Sequence, residues 1–143
     1  MLSLTCKTAI KSVIYLSSRA DAEGRPGIRE IATAINANEH TVGKLLQTLV
    51  KGNVINSIKG PSGGFYISRE QQKLPIITII EAIDGTAVFT ECGLGLSRCS
   101  SSHPCPIHNE YQKGKKLLEK LFRTRRIIDL CSTVSKGASY LIG

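Results

Sequence analysis

The chain has 143 residues, 41% hydrophobic and 21% charged, a balance that supports one folded core and excludes a mainly disordered chain. Its formal net charge of +8 points to a polyanionic partner, with nucleic acid ahead of an anionic membrane. Residues 1–75 hold 10 Lys/Arg against 5 Asp/Glu and residues 76–143 hold 9 against 6, so the excess leans toward the first half.

No apolar run is long enough to span a bilayer, and Met1-Leu2-Ser3-Leu4-Thr5-Cys6-Lys7 lacks the basic and apolar regions of a secretory leader. A cytoplasmic protein without a membrane partner is expected. From Leu4 to Ala20 the apolar residues Ile10, Val13, Ile14 and Leu16 recur at helical spacing. Turn chemistry at Asp21–Gly27 stops this first helix. Ile28, Ile31, Ala32 and Ile35 then repeat on one helical face, Asn36-Ala37-Asn38 interrupts, and Val42, Leu45, Leu46 and Leu49 mark a third helix. Two short helices joined by a tight turn predict a helix-turn-helix.

After Gly52-Asn53, Val54–Ile58 and Phe65–Ser68 flank Lys59-Gly60-Pro61-Ser62-Gly63-Gly64, which predicts a β-hairpin with a cationic tip, the wing of a winged helix. Pro75 opens a helix over Ile76–Asp84 that Gly85 ends, and no period persists from Thr86 to Pro106. Tyr111, Gly114, Leu118, Leu121 and Phe122 mark one face of a later helix, with Lys113, Lys115, Lys116, Lys120 and Arg123 on its other faces. Such a stripe needs a covering surface, and a twin subunit is the simplest supply. Ile127, Ile128, Leu130 and Cys131 continue as a shorter helix that Thr124 is placed to cap.

The expected fold is mainly α with a small β-hairpin wing. Residues 1–75 form a winged helix-turn-helix DNA-binding domain, 76–108 a short helix and a cysteine-rich loop, and 109–143 a dimerisation helix and a C-terminal helix. In a winged helix the second helix of the pair enters the major groove, so Glu39, His40, Thr41 and Lys44 are the candidate base-reading residues. The wing residues Lys59, Gly60, Pro61, Ser62 and Gly63 are placed for phosphate or the minor groove of a double-stranded operator. A single module offers little interface, so a homodimer reading two half-sites is expected.

Three of five cysteines fall in one loop with the pattern C-x6-C-x5-C-x2-H: Cys92, Cys99, Cys105 and His108. In a chain without a leader this suggests metal or redox chemistry before a disulfide framework. Thiolates suit zinc or an iron-sulfur cluster, but structural zinc sites favour closely spaced cysteine pairs, which the loop lacks. Free thiols, a thiol–disulfide switch and zinc are the competing readings. The C-x2-H spacing brings His108 near Cys105, while Cys6 and Cys131 lie in helical patterns where a small buried hydrophobe is the default. Cys105 and His108 resemble a nucleophile–base pair, but no third catalytic group accompanies them, so no enzyme is expected.

With the wing motif Lys59-Gly-Pro-Ser-Gly-Gly-Phe, the cysteine trio and the long helix behind it, nearly the whole chain resembles the winged-helix regulators that include IscR, NsrR and CymR. The resemblance implies a homodimer whose long helices cross, and a cluster close to the partner's first helix. Cys92, Cys99 and Cys105 match the family's cluster cysteines, and His108 the histidine of IscR-like members. The first gap, six residues here, is longer than in close relatives, and Cys6-Lys7-Thr8 offers no carboxylate of the NsrR-like kind. The fourth donor is then His108, Cys6 of the partner subunit, or a small exogenous ligand. The implied cofactor is an iron-sulfur cluster, 2Fe–2S ahead of 4Fe–4S. The implied function is a transcriptional regulator, a repressor by expectation, that senses redox state, nitric oxide or iron-sulfur status. The alternative is a metal-binding assembly or electron-transfer module whose winged helix docks proteins.

Overall fold

The computed structural model describes residues 1–143. Eight helices and two strands follow in the order α1 (Leu4–Ser18), α2 (Ile28–Ala34), α3 (Glu39–Lys51), β1 (Asn56–Ile58), β2 (Gly64–Tyr66), α4 (Arg69–Gln72), α5 (Ile77–Ile83), α6 (Ala87–Thr90), α7 (His108–Thr124) and α8 (Ile127–Ser135).

The helices α1 and α3 of the reading head start on side-chain caps. The Ser3 hydroxyl accepts from the Cys6 backbone N–H at 3.0 Å, and the Asp84 carboxylate accepts from the Ser3 N–H at 2.9 Å, which places a negative charge at the positive end of α1. Asn36, with φ of 52°, turns the chain between α2 and α3, and Asn38 caps α3 by accepting from the Thr41 N–H at 3.1 Å. The apolar periods of α1, α2, α3 and α5 converge on one core containing Val13, Leu16, Ile31, Ile35, Leu45, Leu46, Leu49, Ile79 and Ile80. Each such side chain contributes about 1.5–3 kcal/mol by leaving water.

The wing is an antiparallel pair with Asn56 opposite Tyr66, Ser57 opposite Phe65 and Ile58 opposite Gly64. Its strands are shorter than the alternation predicts, because Val54, Ile55 and Ile67 are buried in the core instead of extending the ladder. The Phe65 N–H donates to the Pro26 carbonyl at 2.9 Å, which anchors the hairpin to the loop after α1.

Two single-turn helices, α4 and α6, occupy segments where no helical period is visible. Thr124 does not cap α8. It ends α7, its hydroxyl donating back to the Lys120 carbonyl at 2.7 Å, and α8 opens on Arg126, whose N–H donates to the Asp129 carboxylate at 3.0 Å. At this corner the Ile76 N–H bonds the Arg125 carbonyl at 2.9 Å and the Ile127 N–H bonds the Leu74 carbonyl at 3.0 Å. Ile127 thereby enters the same core as α1, and Cys131 is buried on the same helix. By contrast α7, 17 residues long, buries only His108 and Lys115. No helix is long and apolar enough to cross a membrane.

Candidate nucleic-acid interface and metal centre

α3 buries Val42, Leu45, Leu46 and Leu49, so its opposite face is left in solvent. Glu39, His40 and Lys44 are exposed there, with Gln47 a turn further on, while Thr41 is half-buried. The Glu39 carboxylate accepts from Arg29 Nε at 3.1 Å and is partly neutralised. Lys44 and Lys59 form no ion pair with a carboxylate, which leaves both cations available to phosphate.

Lys59, Gly60, Pro61 and Ser62 are exposed at the wing tip. The turn closes with the Gly63 N–H donating to the Gly60 carbonyl at 2.9 Å. A Cβ on Gly63 would stand 2.2 Å from the Ile58 carbonyl oxygen, so only glycine lets the two strands meet there. Gly64 is equally required: its φ is 154°, and a Cβ would lie 2.5 Å from the Arg25 carbonyl oxygen.

The cysteine loop lies against the first turns of α7. The Tyr111 ring packs flat on the backbone of Gly93, where a Cβ would fall 2.8 Å from the ring. Cys92 and Cys105 are buried and lie close enough for each thiol to shift the other's ionisation. The Leu94 and Leu96 N–H groups donate to the Cys92 sulfur and hold that thiol below its ordinary range, whereas burial pushes Cys105 up. Cys99 is half-buried and faces other groups: His108 Nδ1 at 3.6 Å, the Gln112 amide donating at 3.0 Å, and Lys115 Nζ at 3.6 Å. The ring of His108 therefore meets Cys99 and not Cys105, the sequence neighbour that its spacing suggests; only the His108 backbone N–H reaches back, to the Cys105 carbonyl at 3.0 Å.

The donors thus stand as two neighbouring pairs, Cys99 in contact with His108 and Cys92 beside Cys105, and no three of them are close enough to hold a single metal ion. Three soft thiols and one imidazole, with backbone N–H groups turned toward a sulfur, are the donor chemistry of an iron-sulfur site. Cys6 lies elsewhere. It is fully buried in the core of α1, and burial, then Asp84, push its thiol up to about 12.

The candidate dimer face is mixed in character. Leu117, Leu118 and Leu121 retain 70%, 42% and 46% of their exposure, while Phe122 is partly buried against Phe89, with ring centroids 6.2 Å apart. Between the start of α1, α6 and α7 runs an apolar groove of 460 Å³, lined by Leu2, Val88, Phe89, Tyr111, Leu118 and Phe122 among others. Tyr111 and Phe122 therefore build the groove wall within one chain, and of the exposed leucines Leu118 reaches it. Lys115, read in the sequence as a solvent-facing cation, is buried.

A helix-turn-helix with a solvent-facing second helix, followed by a hairpin with a cationic glycine-rich tip, defines a winged-helix DNA-binding protein. The chain belongs to the Rrf2 family, described as iron-dependent transcriptional regulators, which its residues 2–133 match. It is a DNA-binding transcriptional regulator of that family. A relative in Aquifex aeolicus (strain VF5), named as an HTH-type transcriptional regulator, is 28% identical over 138 residues, covering 95% of this chain and 94% of its own. Among solved structures, CymR, the global cysteine regulator of B. subtilis, superposes with a TM-score of 0.75 at 19% identity, covering 92% of this chain and 96% of that one. T. potens IscR superposes with a TM-score of 0.74 at 17% identity, covering 97% and 91%.

Proposed function

We propose that the chain acts as a homodimer that binds an operator through Glu39, His40, Thr41, Lys44 and the wing residues Lys59–Gly63, under the control of an iron-sulfur cluster held by its cysteine loop. Cys92, Cys99 and Cys105 are the thiolate ligands, and His108 is the fourth. The observation that carries this reading is the gathering of the donors near the first turn of α7, Cys99 in contact with His108 and Cys92 beside Cys105. Two outer ligands for each of two irons is what a 2Fe–2S centre requires, so that form is favoured over 4Fe–4S. Cys6 is set aside as a donor, because its thiol is sealed in the core beside Asp84 and reaching a partner would mean unpacking α1.

When bound, such a centre supplies ligand-labile iron and oxidisable sulfide, through which redox state, nitric oxide or iron supply could be sensed. The chain's own residues do the remaining work. Leu94 and Leu96 present N–H groups to the Cys92 sulfur, Gln112 donates to Cys99, and Tyr111 seats the loop on α7 over Gly93. The exposed leucines of α7 and the groove beside them support the dimer, since one helix burying only two residues leaves its apolar edge uncovered in the monomer.

The test is anaerobic purification with iron and sulfide assayed per chain, absorption and EPR spectra, and operator binding with and without the centre. Iron and sulfide in equal amount, with DNA affinity that changes when they are removed, is the expected result. Zinc without sulfide, or affinity indifferent to the metal, overturns the reading.

A further inference from the structure

Lys115 is the one lysine the fold takes out of water, keeping 5% of its exposure. Helix periodicity places it on the face of α7 that carries His108, Tyr111 and Leu118, and the loop over residues 91–99 closes on that face. Its ammonium donates to the Glu91 carbonyl at 2.7 Å, lies 5.4 Å from the centroid of the Tyr111 ring, and stands 3.6 Å from the Cys99 sulfur. No carboxylate lies within ion-pair distance of it. A buried ammonium without a counter-charge is costly, and a carbonyl dipole and a ring face repay only part of that cost. A loop clamp alone would not need a full charge, since a neutral donor could bond the Glu91 carbonyl as well. Of the groups that touch Lys115, only the sulfur of Cys99 can carry a whole negative charge.

We propose that Lys115 is a positioning residue whose ammonium is the fixed counter-charge of the cysteine centre, tying the centre's charge state to the loop that it clamps through Glu91. The inference rests on the cluster reading above. A one-electron reductant such as dithionite would add one electron to the bound centre and break no protein bond, so the centre would become more negative by one charge beside a fixed cation. The cation therefore favours the reduced state, and oxidation weakens the attraction that holds the loop to α7.

The experiment compares wild type with Lys115→Arg, Lys115→Gln and Lys115→Met, each purified anaerobically. Iron and sulfide content, the midpoint potential in a mediated titration with dithionite as reductant, and the rate of iron loss to a chelator are measured. Gln keeps a donor for the Glu91 carbonyl without the charge, Met keeps the length without either, and far-UV circular dichroism checks folding. Both neutral variants are expected to move to a more negative potential and to lose iron several-fold faster, or to hold no centre at all, while Arg stays close to wild type. Neutral variants that hold the centre at the wild-type potential overturn the inference and leave the cluster reading standing, as does an Arg variant that shifts as far as they do. Wild-type protein without iron and sulfide overturns the cluster reading itself, and this inference with it.

Discussion

Lys44 and Lys59 occupy different elements but share one property, a solvent-facing ammonium with no carboxylate to hold it. Each phosphate that such a cation meets releases about one counterion from the duplex. Lys44→Ala and Lys59→Ala should each weaken operator binding and flatten the dependence of log affinity on log salt by about one unit. Binding isotherms over a salt series read this directly, and an unchanged slope in both variants would place the DNA contacts elsewhere. At this scale the cysteine trio and the glycine tip are legible in the sequence, because spacing and residue type alone carry their chemistry. The partners are not. His108 lies three residues from Cys105, yet its ring meets Cys99, because the path of an aperiodic loop, and not spacing, decides which thiol folds back onto the start of α7. Lys115 sits among lysines that do face water, and only the fold of an aperiodic loop decides which of them it covers.

The long periodic helices follow their apolar patterns closely, since a 3.6-residue repeat leaves one solution for which face goes inward. The single turns α4 and α6 are four residues each, too short to express a period, and α6 stands in a stretch without one. The start of α8 is misplaced for a different reason: Thr124 is a good capping residue, but α7 continues through it and spends its hydroxyl on Lys120. What opens α8 is the Asp129 carboxylate, held below its ordinary 3.8 chiefly by the Arg126 backbone N–H and then by the Arg126 side chain. A carboxyl depressed in the folded state stabilises it at neutral pH, and that contribution is lost as pH falls through the depressed value. Asp129→Ala should therefore lower the melting temperature at neutral pH, with the difference from wild type shrinking toward zero in acid. A difference that persists undiminished in strong acid would show that the carboxylate charge has no part in opening α8.

For the whole molecule, the question is what covers the edge of α7. Replacing both Leu118 and Leu121 with Asp puts charge on the exposed apolar edge of α7 while leaving the core of α1, α2, α3 and α5 untouched. The expected product is a folded monomer by sedimentation equilibrium, with operator affinity reduced by about 100-fold or more once two half-sites can no longer be held together. A stable dimer of the double variant would move the interface to another surface. The sequence supplies the stripe but not its owner, because an apolar face looks the same whether its own chain or a second copy covers it, and Phe122 proves to be covered from within. There is also a mechanical side to the corner between α7 and α8. A 17-residue helix is a rod about 25 Å long, with the cysteine loop resting on its first turns and two backbone hydrogen bonds riveting the corner at its far end, through Arg125 and Ile127, to Ile76 and Leu74 just after α4. A rod fixed in that way cannot slide at one end alone. The cysteine loop and the reading head are therefore joined through a strut within the chain itself, from the first turn of α7 to the segment between α4 and α5.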